Sequence, residues 1–236
     1  MPPRYRDSFD GVAIREHAAI VGRRGAAPAH VEIWRRLPNG RAIACVVADD
    51  RPGLLSLISA ALVVQSLDVV SAQAYTRSIP EREASEAVDF LWLRRDADLA
   101  MPIRNADALQ LSEVLSGLLT GGLTMESVVR RAKGRPAAPP GASTRVAFNE
   151  TSDAGLSVLT VETFDRPGLL LAITLALFKA RVQIVGTDVV TSDGRVVDRF
   201  TIVELDGAPI LRHRRGAVQT AVLTAIDTLA HNKVAG

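Results

Sequence analysis

Two copies of one short segment carry the polar chemistry that this sequence sets beside apolar runs: Asp50-Arg51-Pro52-Gly53-Leu54 and Asp165-Arg166-Pro167-Gly168-Leu169. In each, a carboxylate and a guanidinium precede a Pro-Gly pair, and apolar residues at helical spacing follow. Proline suits the first turn of a helix, where its missing N–H costs nothing. Glycine lets the backbone approach a neighbour closely. Free N–H groups and the dipole at a helix start favour a carboxylate or phosphate. Asp50 and Asp165 can cap those N–H groups or hold an ammonium group. An α-amino acid carries both charges and matches both halves of this chemistry. The plainer reading is a well-capped helix start without a ligand, and the residues alone leave both readings open.

The segments belong to an internal repeat. Residues 50–58 and 165–173 share seven of nine positions at an offset of 115, and the same offset pairs Val31 with Val146, Val70 with Val185 and Thr76 with Thr191. One register kept over such a span indicates duplicated domains.

Each copy predicts the same elements. A β-branched run (Val31–Arg36, Arg145–Asn149) precedes a buried strand (Ile43–Ala48, Ser157–Phe164). In the first copy Pro38-Asn39-Gly40 joins the two as a hairpin turn. After the Asp-Arg-Pro-Gly turn, Leu54, Ile58, Ala61 and Leu62, and likewise Leu169, Ile173, Ala176 and Leu177, form the apolar face of a helix. A second strand follows (Val69–Arg77, Ile184–Thr191). It leads through a polar loop, Ser78–Glu86, to Ala87–Arg94 in one copy, and through Ser192-Asp193-Gly194 to Val196–Leu205 in the other. Stripes at Leu111, Val114, Leu115, Leu118 and at Val218, Val222, Ala225, Ile226, Leu229 predict a closing helix. Met125–Arg131 reads as a possible further strand and Val12–Val21 as a short helix.

These elements predict an α+β protein of two ferredoxin-like βαββα modules, antiparallel sheets with helices on one face. Each pre-strand should pair with the buried strand after it, in the place of a missing fourth strand. The expected division is an N-terminal extension (1–29), a first module (30–133), a Pro/Ala/Gly-rich linker (134–143) and a second module (144–236).

Composition limits the function classes. The 28 basic and 26 acidic side chains nearly balance, which gives no electrostatic footprint for nucleic acid. The clusters Arg212-His213-Arg214-Arg215 and Arg130-Arg131 lack interleaved aromatics for base stacking and read as solvated or dipole-compensating. The one cysteine, Cys45, lies inside Ile43–Val47 and reads as a buried structural thiol, with a reducing cytoplasm as the expected compartment. No apolar segment reaches the ~20 residues of a membrane helix, and residues 1–11 lack a signal-peptide stretch. His17, His30, His213 and His231 show no metal-ligand spacing and read as surface or capping residues. There is no dinucleotide or Walker loop. We therefore expect no catalytic residue, cofactor or metal.

The doubled strand, Asp-Arg-Pro-Gly-Leu turn, helix and hairpin resemble the ACT domain. With Thr144–Glu150 ahead of the second copy, the tandem order is similar to the C-terminal region of bacterial PII-protein uridylyltransferases, whose paired ACT domains sense glutamine. Glycine-cleavage regulators and plant ACT-repeat proteins share the architecture. The resemblance covers roughly residues 30–231. It implies a non-catalytic regulatory protein that binds an amino acid, with the sheets of two modules associating within one chain or in a homodimer, and a regulated protein as a further partner. Ligand contacts would come from Asp50, Arg51, Pro52, Gly53 and Leu54, and from Asp165, Arg166, Pro167, Gly168 and Leu169. The family's ligand-facing Asn at the start of the second strand is Asp68 in one copy and Gln183 in the other. Gln183 keeps an amide, which ranks the second turn as the better site. The competing expectation is an interaction module without a metabolite, joined to a partner through an exposed sheet edge.

Overall fold

Ala42–Asp49 is apolar at consecutive positions, a pattern that suits a strand covered on both faces. In the computed structural model it is β2, with every residue but the last buried. The structure describes residues 1–79, 84–95, 101–130, 143–149, 151, 155–192 and 194–231. The first half runs α1 (Pro3–Ser8), α2 (Gly11–Arg24), β1 (Ala29–Arg36), β2, α3 (Leu54–Val64), β3 (Leu67–Ile79), β4 (Ala84–Arg95), α4 (Asn105–Thr120) and α5 (Met125–Arg130). The second half repeats the central part as β5 (Arg145–Asn149), β6 (Ser157–Phe164), α6 (Leu169–Lys179), β7 (Val182–Ser192), β8 (Arg195–Glu204) and α7 (Arg212–His231).

All eight strands form one antiparallel sheet in the order β1-β2-β4-β3-β7-β8-β6-β5. The pre-strands pair as expected, β1 on β2 and β5 on β6. The first turn is the hairpin the sequence indicates: Asn39 and Gly40 have φ of 58° and 71°, and the Leu37 N–H donates to the Arg41 carbonyl at 2.8 Å. The halves meet where β3 pairs β7 at Ser71–Val190, Ala72–Val189 and Gln73–Asp188. Gln73 and Asp188 are the same position of the repeat, so the pairing sits on a local two-fold axis of the kind that makes an interface isologous. The antiparallel meeting carries the turn of each half to the start of the second strand of the other. Helices α3 and α6 interlock over the junction, Leu55 joining the core of the second half while Leu170 packs on that of the first.

The structure corrects several expectations. Helices do not lie on one face only. Ala42, Ala44, Val46 and Ala48 face α3 and α4, whereas Ile43, Cys45 and Val47 pack under α1 and α2 with Tyr5, Tyr75 and Phe90. The expected short helix at Val12–Val21 is α2, and its Arg24 anchors it to the sheet. The guanidinium donates to Glu86 at 2.7 Å and Asp49 at 2.8 Å, and Arg77 holds the other oxygen of Glu86 at 2.6 Å. His17 is not at the surface: it is 1% exposed among Tyr5, Phe9, Trp34 and Phe90, and its Nδ1 lies 2.8 Å from the Tyr5 hydroxyl. Burial lowers its pKa to about 4, Glu16 opposing. Cys45 is fully buried and burial pushes its thiol pKa up. Met125–Arg130 is a helix rather than a strand, its Val128 packing on α3 and α4. The loop at Ser78–Glu86 is shorter than expected, because pairing of Ser78 with Ser85 and Ile79 with Ala84 extends the hairpin. Residues 80–83, Asp193 and the linker at 134–142 lie outside the described residues. Among the described residues no helix is long and apolar enough to cross a membrane.

Candidate ligand site at the paired turns

The two Asp-Arg-Pro-Gly turns fold alike because glycine permits what other residues resist. Gly53 and Gly168 take φ of 82° and 80° as the N-cap residues of α3 and α6, in the left-handed region that costs other side chains about 1–2 kcal/mol. Each proline therefore stands one residue before the cap rather than inside the first helical turn. The strand end is tied to the neighbouring hairpin, Asp50 N–H to the Ser85 carbonyl and Asp165 N–H to that of Gly194, both at 2.9 Å.

Neither aspartate caps its helix, contrary to the plainer sequence reading. No side chain accepts from the cap N–H groups of α3 or α6. Asp50 instead accepts from the Thr76 hydroxyl at 2.9 Å, and Asp165 from the Arg94 guanidinium. Backbone carbonyls take part of the load, the N–H groups of Leu54, Ser56 and Leu57 donating to Arg51 and Gly53 and those of Leu169 and Ala172 to Arg166 and Gly168, while the positive dipole end of each helix keeps no side-chain counterpart among the described residues.

The two arginines serve the fold. Arg51 Nη1 donates to the Leu119 carbonyl at 3.1 Å, and Arg166 Nη2 to that of Ile226 at 3.3 Å. Each guanidinium donates to a carbonyl on the closing helix of its own half, and at Leu119, in the last turn of α4, the cation also suits the C-terminal dipole. Arg166 is buried, which lowers its pKa against the pull of Asp227 and Asp165. Leu54 and Leu169 are buried in the two cores.

A cavity of about 40 Å³ lies between the first turn and the second half, bounded by Asp50, Gly53, Thr76 and Asp89 on one side and Thr174 and Phe178 on the other. Room of that size holds a few waters. The Phe178 ring lies against Gly53 so closely that an added Cβ would come within 2.8 Å of Cδ2. Phe178 is 42% exposed.

The sequence pairs Gln183 with the second turn and Asp68 with the first; the structure does the reverse. Val182 and Ile184 line the cavity at Asp50, although Gln183 itself does not. Asp68 shares Arg94 with Asp165. The antiparallel β3–β7 junction sets the start of β7 beside the first turn and Asp68 beside the second, so the amide of Gln183 does not lie at the turn of its own copy. Pro52 is likewise not part of the cavity wall.

Four site residues escaped the sequence reading: Arg94, Phe178 and the buried pair Asp89 and Asp198. The last two had a signal. Each interrupts a set of inward-facing apolar residues, Ala87, Leu91 and Leu93 in β4 and Val196, Phe200 and Ile202 in β8. A carboxylate at such a position must be paired or protonated. Asp198 is 1% exposed, and one of its oxygens has no hydrogen-bond partner among the described residues. Burial, with Asp165 and Asp68 adding to it, raises its pKa well above the ordinary value. The basic cluster at 212–215 opens α7, at the end opposite to the one where a cation compensates the dipole. Its Arg214 is held by Glu204 at 2.8 and 3.0 Å, and Arg215 lies over the Phe148 ring. Among the described residues no group of His, Cys, Asp and Glu is arranged to hold a metal ion.

Fold and site together define an α+β protein in which a duplicated unit forms one antiparallel sheet and sets two helix-start turns across the junction. No protein-family model matches the chain. It is 28% identical over 242 residues to the bifunctional uridylyltransferase/uridylyl-removing enzyme of Rhodospirillum rubrum, a match covering 98% of this chain and 25% of the relative. The enzymes of the same name from Bradyrhizobium diazoefficiens and Rhodopseudomonas palustris are 30% and 31% identical, over 77% and 79% of this chain and 19% and 20% of theirs. The chain thus spans a fifth to a quarter of the length of the curated relatives it matches. These homologues bear out the resemblance to a part of the uridylyltransferase/uridylyl-removing enzymes.

Proposed function

We propose that the chain is a tandem ACT-type regulatory region that binds a free amino acid at the junction of its two modules and performs no catalysis itself. The observation that carries this reading is the pairing, at one cavity, of an uncapped helix start with a carboxylate that does not serve as its cap. The positive dipole end of α3 suits the ligand carboxylate, and Asp50 suits its ammonium. Phe178 swings off Gly53 to admit the ligand and then covers it. Glutamine is the first candidate, on the sequence resemblance.

The regulatory consequence follows from the place of the site. A ligand touching α3 and β3 on one side and α6 on the other adds contacts only when the halves are docked, and so shifts the population toward the docked form. In a protein of the relatives' kind, that shift would bias uridylyl transfer against uridylyl removal. The non-catalytic reading is supported by the state of the usual catalytic groups, His17 being buried and neutral and Cys45 a buried thiol.

The test is a thermal-shift screen of the chain against the twenty amino acids at several millimolar. A stabilising amino acid should add about 2.7 kcal/mol at a hundred times its dissociation constant, and Asp50→Asn, weakening binding by about tenfold or more, should cut that to about 1.4 kcal/mol or less. Stabilisation that survives Asp50→Asn unchanged would move the site elsewhere.

A further inference from the structure

The two turns share a backbone but not their occupants. At the second, the Arg94 guanidinium bonds Asp165 and also Asp68, through Nε at 3.1 Å and Nη2 at 2.6 Å. The three side chains are largely withdrawn from solvent, at 28%, 11% and 13% exposure for Arg94, Asp165 and Asp68. Burial works against the charge of Arg94, but the two carboxylates more than offset it and hold its pKa above the ordinary value.

Strand register shows what stands at the first turn instead. Asp68 pairs with Arg94 between β3 and β4, and its repeat counterpart Gln183 pairs with Val203 between β7 and β8. A valine therefore takes the place of Arg94, and an amide that of Asp68. Asp50 keeps its hydrogen bond to Thr76. Thr191, the counterpart of Thr76, has a buried hydroxyl without a partner among the described residues, Asp165 being turned to Arg94. Asp198 is 99% withdrawn from solvent and, among the described residues, has an unpartnered oxygen beside the same cluster. The second turn is thus built around a cation, and the cation is supplied by the protein.

We propose that Arg94 is an internal stand-in for the cationic group of the ligand: the chain closes its second turn itself and takes a single ligand at the first. The inference rests on reading the turns as amino-acid sites. It also fixes the pose, the ligand ammonium lying on Asp50 as the guanidinium of Arg94 lies on Asp165.

Isothermal titration of the whole chain with each of the twenty amino acids in turn is the test. A probe that binds should do so once per chain, and Asp50→Asn should weaken it by about tenfold or more, the loss of a charge-assisted hydrogen bond. Arg94→Met should raise the stoichiometry to two. Should Arg94→Met fold poorly by circular dichroism, the transplant Gln183→Asp/Val203→Arg carries the test: it installs the same latch at the first turn and should abolish binding. Two ligands bound by the unmodified chain, or full binding by the transplant, would overturn the latch and leave the ligand reading intact. No binding of any amino acid, by either the unmodified chain or Arg94→Met, would overturn both.

Discussion

Gly53→Ala tests how the first turn is built. Its cost has two parts. The left-handed backbone, φ +82°, costs alanine about 1–2 kcal/mol. The new Cβ would also meet the Phe178 ring at 2.8 Å from Cδ2 and 2.9 Å from Cε2, closer than van der Waals contact allows. Phe178 is partly exposed, so the ring yields rather than the backbone, and the loss is that of its packing, about 1 kcal/mol. The sum is about 2–3 kcal/mol, or a fall in Tm of about 4–12 °C for a chain of this size. Gly121 is the internal control. It has φ +79° with no atom within 4 Å of an added Cβ, so Gly121→Ala carries the backbone part alone. Thermal unfolding by circular dichroism of both variants, and of Gly53→Ala combined with Phe178→Ala, completes the comparison. The Phe178 background should bring the cost of Gly53→Ala down to that of Gly121→Ala. A Gly53→Ala cost equal to that of Gly121→Ala with Phe178 in place would refute the contact between Phe178 and Gly53.

Three further outcomes follow from buried charge. Asp198 has a folded pKa raised above its unfolded value, so its contribution is fully present below the unfolded pKa and is lost as pH rises through the folded one. Asp198→Asn should therefore be more stable than the parent at pH 8, with the gap closing toward pH 4 in urea titrations. His17 behaves in the opposite sense: its folded pKa of about 4 lies below the ordinary 6.5, so stability should fall by about 3 kcal/mol as pH drops from 6.5 to 4. His17→Gln should flatten that slope, and an unchanged slope would show that His17 is not its source. Arg24→Met leaves Glu86, which is 4% exposed, with Arg77 alone. It should destabilise by about 3 kcal/mol in denaturant unfolding, whereas a cost under about 0.5 kcal/mol would mean that α2 is not anchored through this pair.

Local pattern made the repeat legible. The doubled turn, the strand alternation and the helical stripes each depend on neighbours within a few residues, and the pre-strand pairing followed from chain economy. The second cover over β2 was readable in principle, because Ile43, Cys45 and Val47 are as apolar as Ala44 and Val46 and a strand apolar on both sides needs two partners. All six first-half aromatics, Tyr5, Phe9, Trp34, Tyr75, Phe90 and Trp92, gather on that side. What the sequence did not disclose is the exchange of partners between turns. It depends on three residue pairs between β3 and β7, whose types, Ser71 with Val190 or Gln73 with Asp188, carry no pairing signal of their own. Once Asp68 is placed beside Asp165 rather than Asp50, the role of Arg94 follows from reach and charge. Without that placement it is one arginine among 25, since Lys133, Lys179 and Lys233 are the only lysines in a basic total of 28.

The central claim is a ligand held between the halves at the first turn, and amide hydrogen exchange read by mass spectrometry tests it most directly. With a saturating stabilising amino acid, protection should rise together at Gly53–Leu57 and around Phe178, on both sides of the cavity, and stay unchanged at Gly168–Ala172. Protection confined to one half, or centred on the second turn, would contradict the account.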